Sequence, residues 1–104
     1  MKIYSLFFNT YRDGNYTYIG TATDISDASN ICIIWLERKI NEANNGEIVE
    51  LEYPMDIELF TKMCRYEQDS IRNQTDKFTD VCANLDACQS ATFGRFKIRC
   101  HNAG

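Results

Sequence analysis

The chain has 104 residues, of which 44% are hydrophobic, 12% aromatic and 25% charged, with five cysteines and a formal charge of −4. This composition excludes a disordered or fibrous protein, and the length fits one small domain with a modest core. The longest apolar run, residues 31–36, is far shorter than the roughly 20 residues that cross a bilayer. We therefore expect a single folded domain over residues 1–104 with no membrane span.

Residues 1–23 carry the pattern of a β-hairpin. Two segments rich in aromatic and β-branched side chains flank Asp13-Gly14, a dipeptide typical of two-residue hairpin turns. Counting outward from this turn pairs Asn9 with Tyr18. Side-chain alternation predicts two faces, of which the first is expected to meet the core. The two sets are Tyr4, Leu6, Phe8 and Ile19 on the core face, and Phe7, Tyr11, Tyr16 and Tyr18 on the other.

A long helix is predicted over residues 25–44. Asp24 and Ser26 are good N-cap residues, and Asp27 suits the positive end of a helix. The apolar stripe that follows is wider than a one-sided surface helix needs, which predicts a helix in contact with a second layer. The sequence Asn-Asn-Gly that ends at Gly46 favours a left-handed C-terminal cap.

The remaining elements are predicted from their periodicity. Residues 47–53 alternate as a strand, and residues 56–90 have helical spacing with a break at residues 73–75. Residues 92–100 alternate again, and residues 101–104 are expected to form a frayed tail. The resulting order, ββαβααβ, predicts an α+β fold in which a mixed or antiparallel four-stranded sheet packs against helices.

Five cysteines in a chain of this size raise the question of metal or thiol chemistry. The candidate zinc ligands are Cys82, Cys88, Cys100 and His101. Their spacing contains no Cys-x-x-Cys or His-x-x-x-His pair, and four of the five cysteines fall on predicted apolar faces. We therefore expect no metal and no other cofactor, and a small zinc-binding module is kept as an alternative.

The sequence offers no clear catalytic set. It contains one histidine, near its end, and has neither a glycine-rich phosphate loop nor a serine in a nucleophile elbow. Helix capping and a solvated strand face account for the paired carboxylates. These features favour a protein that is not an enzyme.

The hairpin also carries a nuclease-like signature. Residues 3–4, Ile-Tyr, and residues 18–20, Tyr-Ile-Gly, resemble the paired strand motifs of the GIY-YIG nucleases, which use an arginine, a distant glutamate and a divalent metal. Lys2 stands where the family has its first glycine, and residues 26–29 stand where its arginine is expected. The resemblance implies a nuclease-like module as an alternative function.

The distribution of charge points to a binding surface. Residues 1–53 carry four basic and eight acidic side chains, whereas residues 54–104 carry seven of each. An acidic half suits a larger, basic protein as partner, and tyrosines are common anchors of protein interfaces. The predicted partner-binding residues are Tyr11, Tyr16, Tyr18, Glu42, Glu47, Glu50 and Glu52.

The leading interpretation is a non-catalytic modulator that binds this basic protein by steric and charge occlusion. In size and style the chain resembles small phage-encoded inhibitors of host or defence nucleic-acid-binding proteins, anti-CRISPR proteins among them. That resemblance implies the host cytoplasm. The short N-terminal apolar stretch lacks a suitable cleavage site, so a signal peptide is not expected and a cytoplasmic location is predicted. The pattern does not indicate an oligomeric state.

A second interpretation is a nucleic-acid-binding module. The alternating row Arg95, Lys97 and Arg99 is suited to phosphates, and Tyr18 is suited to base stacking. The net charge of −4 disfavours direct nucleic-acid binding. Carboxylates of the predicted strand 47–53 are an alternative cross-strand partner for the same basic row.

Overall fold

The computed structural model describes residues 1–9, 16–46 and 57–102. In chain order its elements are β1 Lys2–Phe8, β2 Thr17–Ala22, α1 Ile25–Asn44, α2 Ile57–Asn73, α3 Thr75–Ala83, β3 Ser90–Phe93 and β4 Phe96–Asn102. The four strands form one antiparallel sheet in the order β2-β1-β4-β3. The predicted α+β fold is confirmed, and the strand predicted over residues 47–53 lies outside the described residues.

Alternating side chains of the two central strands build the core. Their buried members are Tyr4, Leu6, Phe8, Phe96, Ile98 and Cys100. The ring centroid of Phe8 lies 5.0 Å from that of Trp35 on α1 and 4.9 Å from that of Phe96. Burying these aromatic rings together supplies the large apolar area that a small domain needs. The core face predicted for the first strand is confirmed.

The helix α1 lies between the sheet and α2, as its wide apolar stripe predicts. It begins after Asp24, whose Oδ1 accepts a hydrogen bond of 2.7 Å from the N–H of Asp27. It is followed by Gly46 at φ +75°, which provides the predicted left-handed C-terminal cap. On the side of α2, Gln68 donates from Nε2 to the carbonyl oxygen of Ile33 at 3.1 Å.

The register of the first hairpin differs from the predicted one. Tyr18 lies opposite Phe7 rather than Asn9, and the pairing shifts between Leu6 and Phe7. Ile19 is an extra residue on β2, so the pairing differs from the predicted one by one position at Tyr4 to Leu6 and by two positions at Phe7. Gly20 and Ala22 therefore lie opposite the core residues Leu6 and Tyr4, on the face where the predicted alternation placed Ile19. The two-residue turn predicted at Asp13-Gly14 lies outside the described residues.

The segment 92–100, predicted as one strand, contributes to a second hairpin. Phe93 lies opposite Phe96, and Gly94 and Arg95 connect them. Gly94 has φ +58°, a conformation that glycine adopts without strain and that two-residue hairpin turns require. The interruption of the strand therefore has a local cause in the position of this glycine.

Two further boundaries differ from the prediction. The last helix ends at Ala83, and Cys88 has φ +69°, which no right-handed helix accommodates. His101 and Asn102, expected in a frayed tail, belong to β4 and lie opposite β1. The predicted break between α2 and α3 is confirmed. Over the described ranges, no helix has the length and apolarity needed to cross a membrane.

Candidate binding surface on the open sheet face

Residues that alternate with the core side chains form the second face of the sheet, which points away from α1. We call it the open sheet face. Its described members are Ile3, Ser5, Phe7, Tyr18, Thr21, Ser90, Thr92, Lys97, Arg99 and His101. None of them is fully buried. This face is therefore the largest described part of the sheet that remains accessible to a ligand.

An aromatic pair lies at the centre of the open sheet face. Phe7 and Tyr18 are cross-strand partners, and their ring centroids are 5.7 Å apart in an edge-to-face arrangement. Tyr18 is 57% exposed, and its hydroxyl group forms a hydrogen bond with Oγ1 of Thr21. This bond fixes the direction of the Tyr18 side chain, so that an accessible ring is held in place.

A lysine joins this aromatic pair to a third ring. Lys97 is the cross-strand partner of Phe7 on the β4 side, and its Nζ lies 6.0 Å from the Phe7 ring centroid. The same Nζ lies 5.3 Å from the centroid of Tyr16, which directly precedes β2. Both distances are within the range of a cation–π interaction. Arg99 follows two residues later on the same face and is exposed.

Charge is separated between the two layers of the described fold. The four strands contain Lys2, Lys97 and Arg99 and no aspartate or glutamate. The three helices, on the other side of the sheet, carry eight acidic and six basic side chains. A local excess of positive charge therefore lies on the sheet of a chain whose net charge is −4.

The predicted partner-binding residues divide between the two layers. Tyr16 and Tyr18 belong to the sheet side, whereas Glu42 lies on α1 and forms an ion pair of 2.9 Å with Lys39. Glu42 is thus separated from the tyrosines by the sheet itself. The other predicted members, Tyr11, Glu47, Glu50 and Glu52, lie outside the described residues. Among the residues that the structure describes, no acidic side chain joins the tyrosines.

Only two of the three residues of the predicted basic row lie on the open sheet face. Lys97 and Arg99 lie on the open sheet face, but Arg95 lies in the turn between β3 and β4. Its Nη1 donates to the carbonyl oxygen of Asn9 at 3.1 Å, and its backbone N–H donates to Oε2 of Glu67 at 3.4 Å. Alternation fails as a guide here because Gly94 interrupts the strand.

The cysteines behave as the core residues that the apolar stripes predict. Four of the five are fully buried, and burial raises the pKa of Cys64 to about 12 and that of Cys82 to about 11. Such thiols stay protonated near neutral pH. Cys88 is exposed, and His101 lies on the sheet face opposite to its neighbour Cys100. Within the described ranges, no three potential ligands cluster as a metal site.

The two tyrosines of the nuclease-like signature lie on opposite sides of the sheet. Tyr4 is buried in the core, where burial raises its pKa, and Tyr18 is exposed on the open sheet face. A shared catalytic role would require their hydroxyl groups to converge on one substrate. The hairpin does not bring them together.

The sequence reasoning missed the polar members of the open sheet face and the second hairpin. Ser90 and Thr92 lie opposite Arg99 and Lys97 in the strand pair, so they place hydroxyl groups beside the basic part of the surface. The available signal was the pair Gly94-Arg95 between Phe93 and Phe96, a pattern typical of a tight hairpin. The chain was also compared with protein-family models, curated proteins and solved structures, and no match was found.

Proposed function

We propose that the chain is a non-catalytic module that binds single-stranded nucleic acid on the open sheet face. The observation that carries this proposal is the cluster of Phe7, Tyr16, Tyr18 and Lys97, extended by Arg99, on a sheet whose described strands contain no carboxylate. Aromatic rings and cations are the two components that single-strand-binding surfaces combine.

The aromatic component supports a ligand with planar groups. The exposed ring of Tyr18 is held by Phe7 on one side and by the hydrogen bond to Thr21 on the other. A ring that is already fixed loses little conformational entropy when a base stacks on it. Stacking on such a ring contributes about 1–3 kcal/mol per base.

The cationic component supports an anionic backbone. The net charge of −4 opposes nucleic acid at long range, but Debye screening limits this field to about 10 Å at moderate salt. At contact distance the ligand meets Lys97 and Arg99, while the acidic excess of the helices lies behind the sheet. The charge of the whole chain is therefore a poor guide to this face.

The aromatic rings of the open sheet face favour single strands over duplexes. A duplex keeps its base faces stacked inside the helix, so the rings of Phe7 and Tyr18 have no base to contact. A single strand can turn its bases toward the sheet while its phosphates reach Lys97 and Arg99. The polar hydroxyl groups of Ser5 and Thr21 then lie within the same footprint.

The test is a titration of labelled single strands of about 12 nucleotides, which exceeds the smallest site sizes of such surfaces. We expect saturable binding to single-stranded RNA or DNA at low salt and weaker binding to the matching duplex. With two phosphate contacts, from Lys97 and Arg99, log Kd should change with log salt by about 1.4 in magnitude. Tyr18→Ala should weaken binding by roughly 5- to 150-fold.

A matched control is Tyr66→Ala. Tyr66 is another exposed tyrosine, 72% accessible, but it lies on α2 in the helical layer. Its removal should change affinity by less than about two-fold, since stacking requires direct contact with the base. Absence of any binding at low salt would exclude the proposal. Equal losses in the two variants would move the binding surface away from the open sheet face.

The modulator of a larger basic protein is the second candidate, and it is favoured by the excess of acidic side chains on the three helices. Occlusion of such a partner, as by a phage-type inhibitor, would use the helical layer around Glu42. The two candidates thus occupy opposite sides of the sheet. In capture from a lysate, Glu42→Gln should reduce retention of a protein partner, while Tyr18→Ala should reduce retention of nucleic acid.

A cytoplasmic location forms part of the same proposal. All five cysteines are free thiols, and four of them are buried in the core. Free thiols persist in a reducing compartment, whereas disulfides are typical of secreted small domains. A fusion to a fluorescent protein, imaged in the source cells, tests this location, and a secreted fusion would contradict it.

A further inference from the structure

A buried glutamate touches the turn between β3 and β4. Glu67 lies on α2, is 5% exposed, and accepts the Arg95 N–H on Oε2 at 3.4 Å. A Cβ atom on Gly94 would overlap the same carboxylate. The carboxylate of Glu67 therefore contacts the backbone of the turn directly.

The turn between β3 and β4 also holds the end of β1. The N–H of Asn9 donates to the carbonyl oxygen of Arg95 at 2.9 Å, and Nη1 of Arg95 donates back to the carbonyl oxygen of Asn9 at 3.1 Å. Glu67, Arg95 and Asn9 thus form a continuous connection from the helical layer to the sheet. Phe7 lies two residues before Asn9, and Lys97 lies two residues after Arg95.

The carboxylate of Glu67 carries a cost that an apolar side chain would avoid. Burial raises the pKa of Glu67, and the hydrogen bond from the Arg95 N–H and the positive charge of Arg95 act in the opposite direction. A buried carboxylate is tolerated where it has such partners. A leucine or methionine would fill the same space but could not accept the Arg95 N–H.

We infer that Glu67 is a positioning residue for the open sheet face. By holding the β3–β4 turn, it sets Lys97 against the rings of Phe7 and Tyr16. This inference rests on the proposed function, because the position of Lys97 matters only if the face binds a ligand. Glu67 itself lies on the helical side of the sheet and does not contact the bound nucleic acid.

The test compares two substitutions that separate the length of the Glu67 side chain from its charge. Glu67→Gln keeps an acceptor oxygen at the same distance from the helix, whereas Glu67→Asp keeps the charge but withdraws it by one methylene group. Because the bond to the Arg95 N–H is already 3.4 Å long, the shorter side chain cannot maintain it. Glu58→Gln is the matched control, since Glu58 lies exposed on the same helix and pairs with Lys62.

Two quantities are measured for each variant: hydrogen exchange of the Arg95 amide and affinity for the single-stranded oligonucleotide. Glu67→Asp should accelerate the exchange of this amide at least about ten-fold and weaken binding about five-fold or more, with the central β1 amides still protected. Glu67→Gln and Glu58→Gln should leave both quantities within about two-fold of the unmodified protein.

Several outcomes would overturn the inference. One is a folded Glu67→Asp variant in which neither quantity changes. Another is an equal acceleration of exchange at all amides in both Glu67 variants, because this would make Glu67 a contributor to global stability alone. If the unmodified protein binds no oligonucleotide, the proposed function fails, while the Arg95 amide still reports whether Glu67 holds the turn.

The unmodified protein provides a further test if Glu67→Asp does not fold. The NMR signals of the Glu67 side-chain carboxyl carbon and of the Arg95 amide should shift with the same midpoint in a pH titration. The bond between the two groups makes the amide proton sensitive to the charge of its acceptor. An Arg95 amide that does not follow the carboxyl titration would contradict the inference.

Discussion

Phe7 and Phe8 are neighbours in β1, yet they belong to opposite sides of the sheet. Phe8 is fully buried and packs against Trp35 and Phe96, whereas Phe7 is half-buried and contacts Tyr18 and Lys97. The same type of side chain therefore contributes to the core in one case and to an accessible surface in the other. The alternation of the strand alone decides which role each ring takes.

The two sides also differ in what surrounds the rings. On the core side, the neighbours are apolar and exclude water, so the contribution is mainly to stability. On the open sheet face, the neighbours are cations and hydroxyl groups, and no carboxylate of the described strands is present. Exposed aromatic rings beside cations form an accessible apolar patch, and such a patch favours a role in binding.

The largest expected effect comes from removing the core ring. Phe8→Ala should lower the free energy of unfolding by about 3–5 kcal/mol, because it deletes a buried ring and leaves a cavity beside Trp35 and Phe96. Urea denaturation followed by circular dichroism measures this change. The matched variant Phe7→Ala should cost about 1 kcal/mol and should weaken oligonucleotide binding.

The same two variants can also contradict the distinction between the core ring of Phe8 and the accessible ring of Phe7. If Phe7→Ala destabilises the fold as much as Phe8→Ala, the ring of Phe7 belongs to a second core and the open sheet face is covered in solution. If Phe7→Ala changes neither stability nor binding, the aromatic cluster has no role in recognition. Either result would require a different surface for the proposed function.

The second prediction concerns the pH dependence of Glu67. Burial raises its pKa above the usual value of 4.5, so the folded protein binds a proton more tightly than the unfolded chain. Stability from this group is therefore present at acidic pH and is lost as pH rises through the raised pKa. Relative to the unmodified protein, Glu67→Gln should gain stability as pH rises above about 4.5, by at most about 1.4 kcal/mol per pH unit.

Thermal unfolding over that pH range measures the difference, and Glu58→Gln provides the baseline because Glu58 is exposed. A constant difference between Glu67→Gln and the unmodified protein would show that Glu67 titrates alike in the folded and unfolded states. Its carboxylate would then be exposed, and the connection to Arg95 would lose its basis.

The third prediction tests the helical layer without changing the open sheet face. Asp24→Ala removes the side-chain acceptor of the Asp27 N–H and should cost about 1 kcal/mol of stability. Oligonucleotide affinity should be unchanged at a temperature where the variant is fully folded. A loss of affinity in the folded variant would show that α1 contributes to binding, against the division of roles between the two layers.

Local patterns in the sequence were sufficient for most of the fold. Alternation identified the buried face of β1, and helical spacing with the capping residue Asp24 identified α1. These patterns succeed because burial and capping act between residues that are near in sequence. The turn at Gly94 was missed because it interrupts an otherwise regular alternation with a single residue.

The candidate binding surface was harder to predict than the fold. Tyr18 and Lys97 were each recognised as candidates, but the sequence does not show that β1 lies between their strands and brings both to Phe7. Sheet order depends on contacts between distant segments. For the same reason the position of Arg95 beside Glu67, 28 residues away, follows from tertiary packing alone.

The smallest expected changes in stability come from substitutions of two lysines. Lys97→Gln removes the cation between Phe7 and Tyr16, and Lys62→Gln removes an exposed ion pair with Glu58 on α2. Each substitution should lower the free energy of unfolding by about 0.5 kcal/mol or less, since both interactions are accessible to solvent. Chemical denaturation should therefore not distinguish the two variants.

Binding should distinguish them clearly. With Lys97→Gln, the dependence of log Kd on log salt should fall by about 0.7, the value expected for one lost phosphate contact of a single strand. Lys62→Gln should keep the full salt dependence, because its charge lies in the helical layer. An equal reduction in both variants would mean that the ligand responds to the total charge of the protein. The open sheet face would then have no special role, and the contrast between the two sides of β1 would concern stability alone.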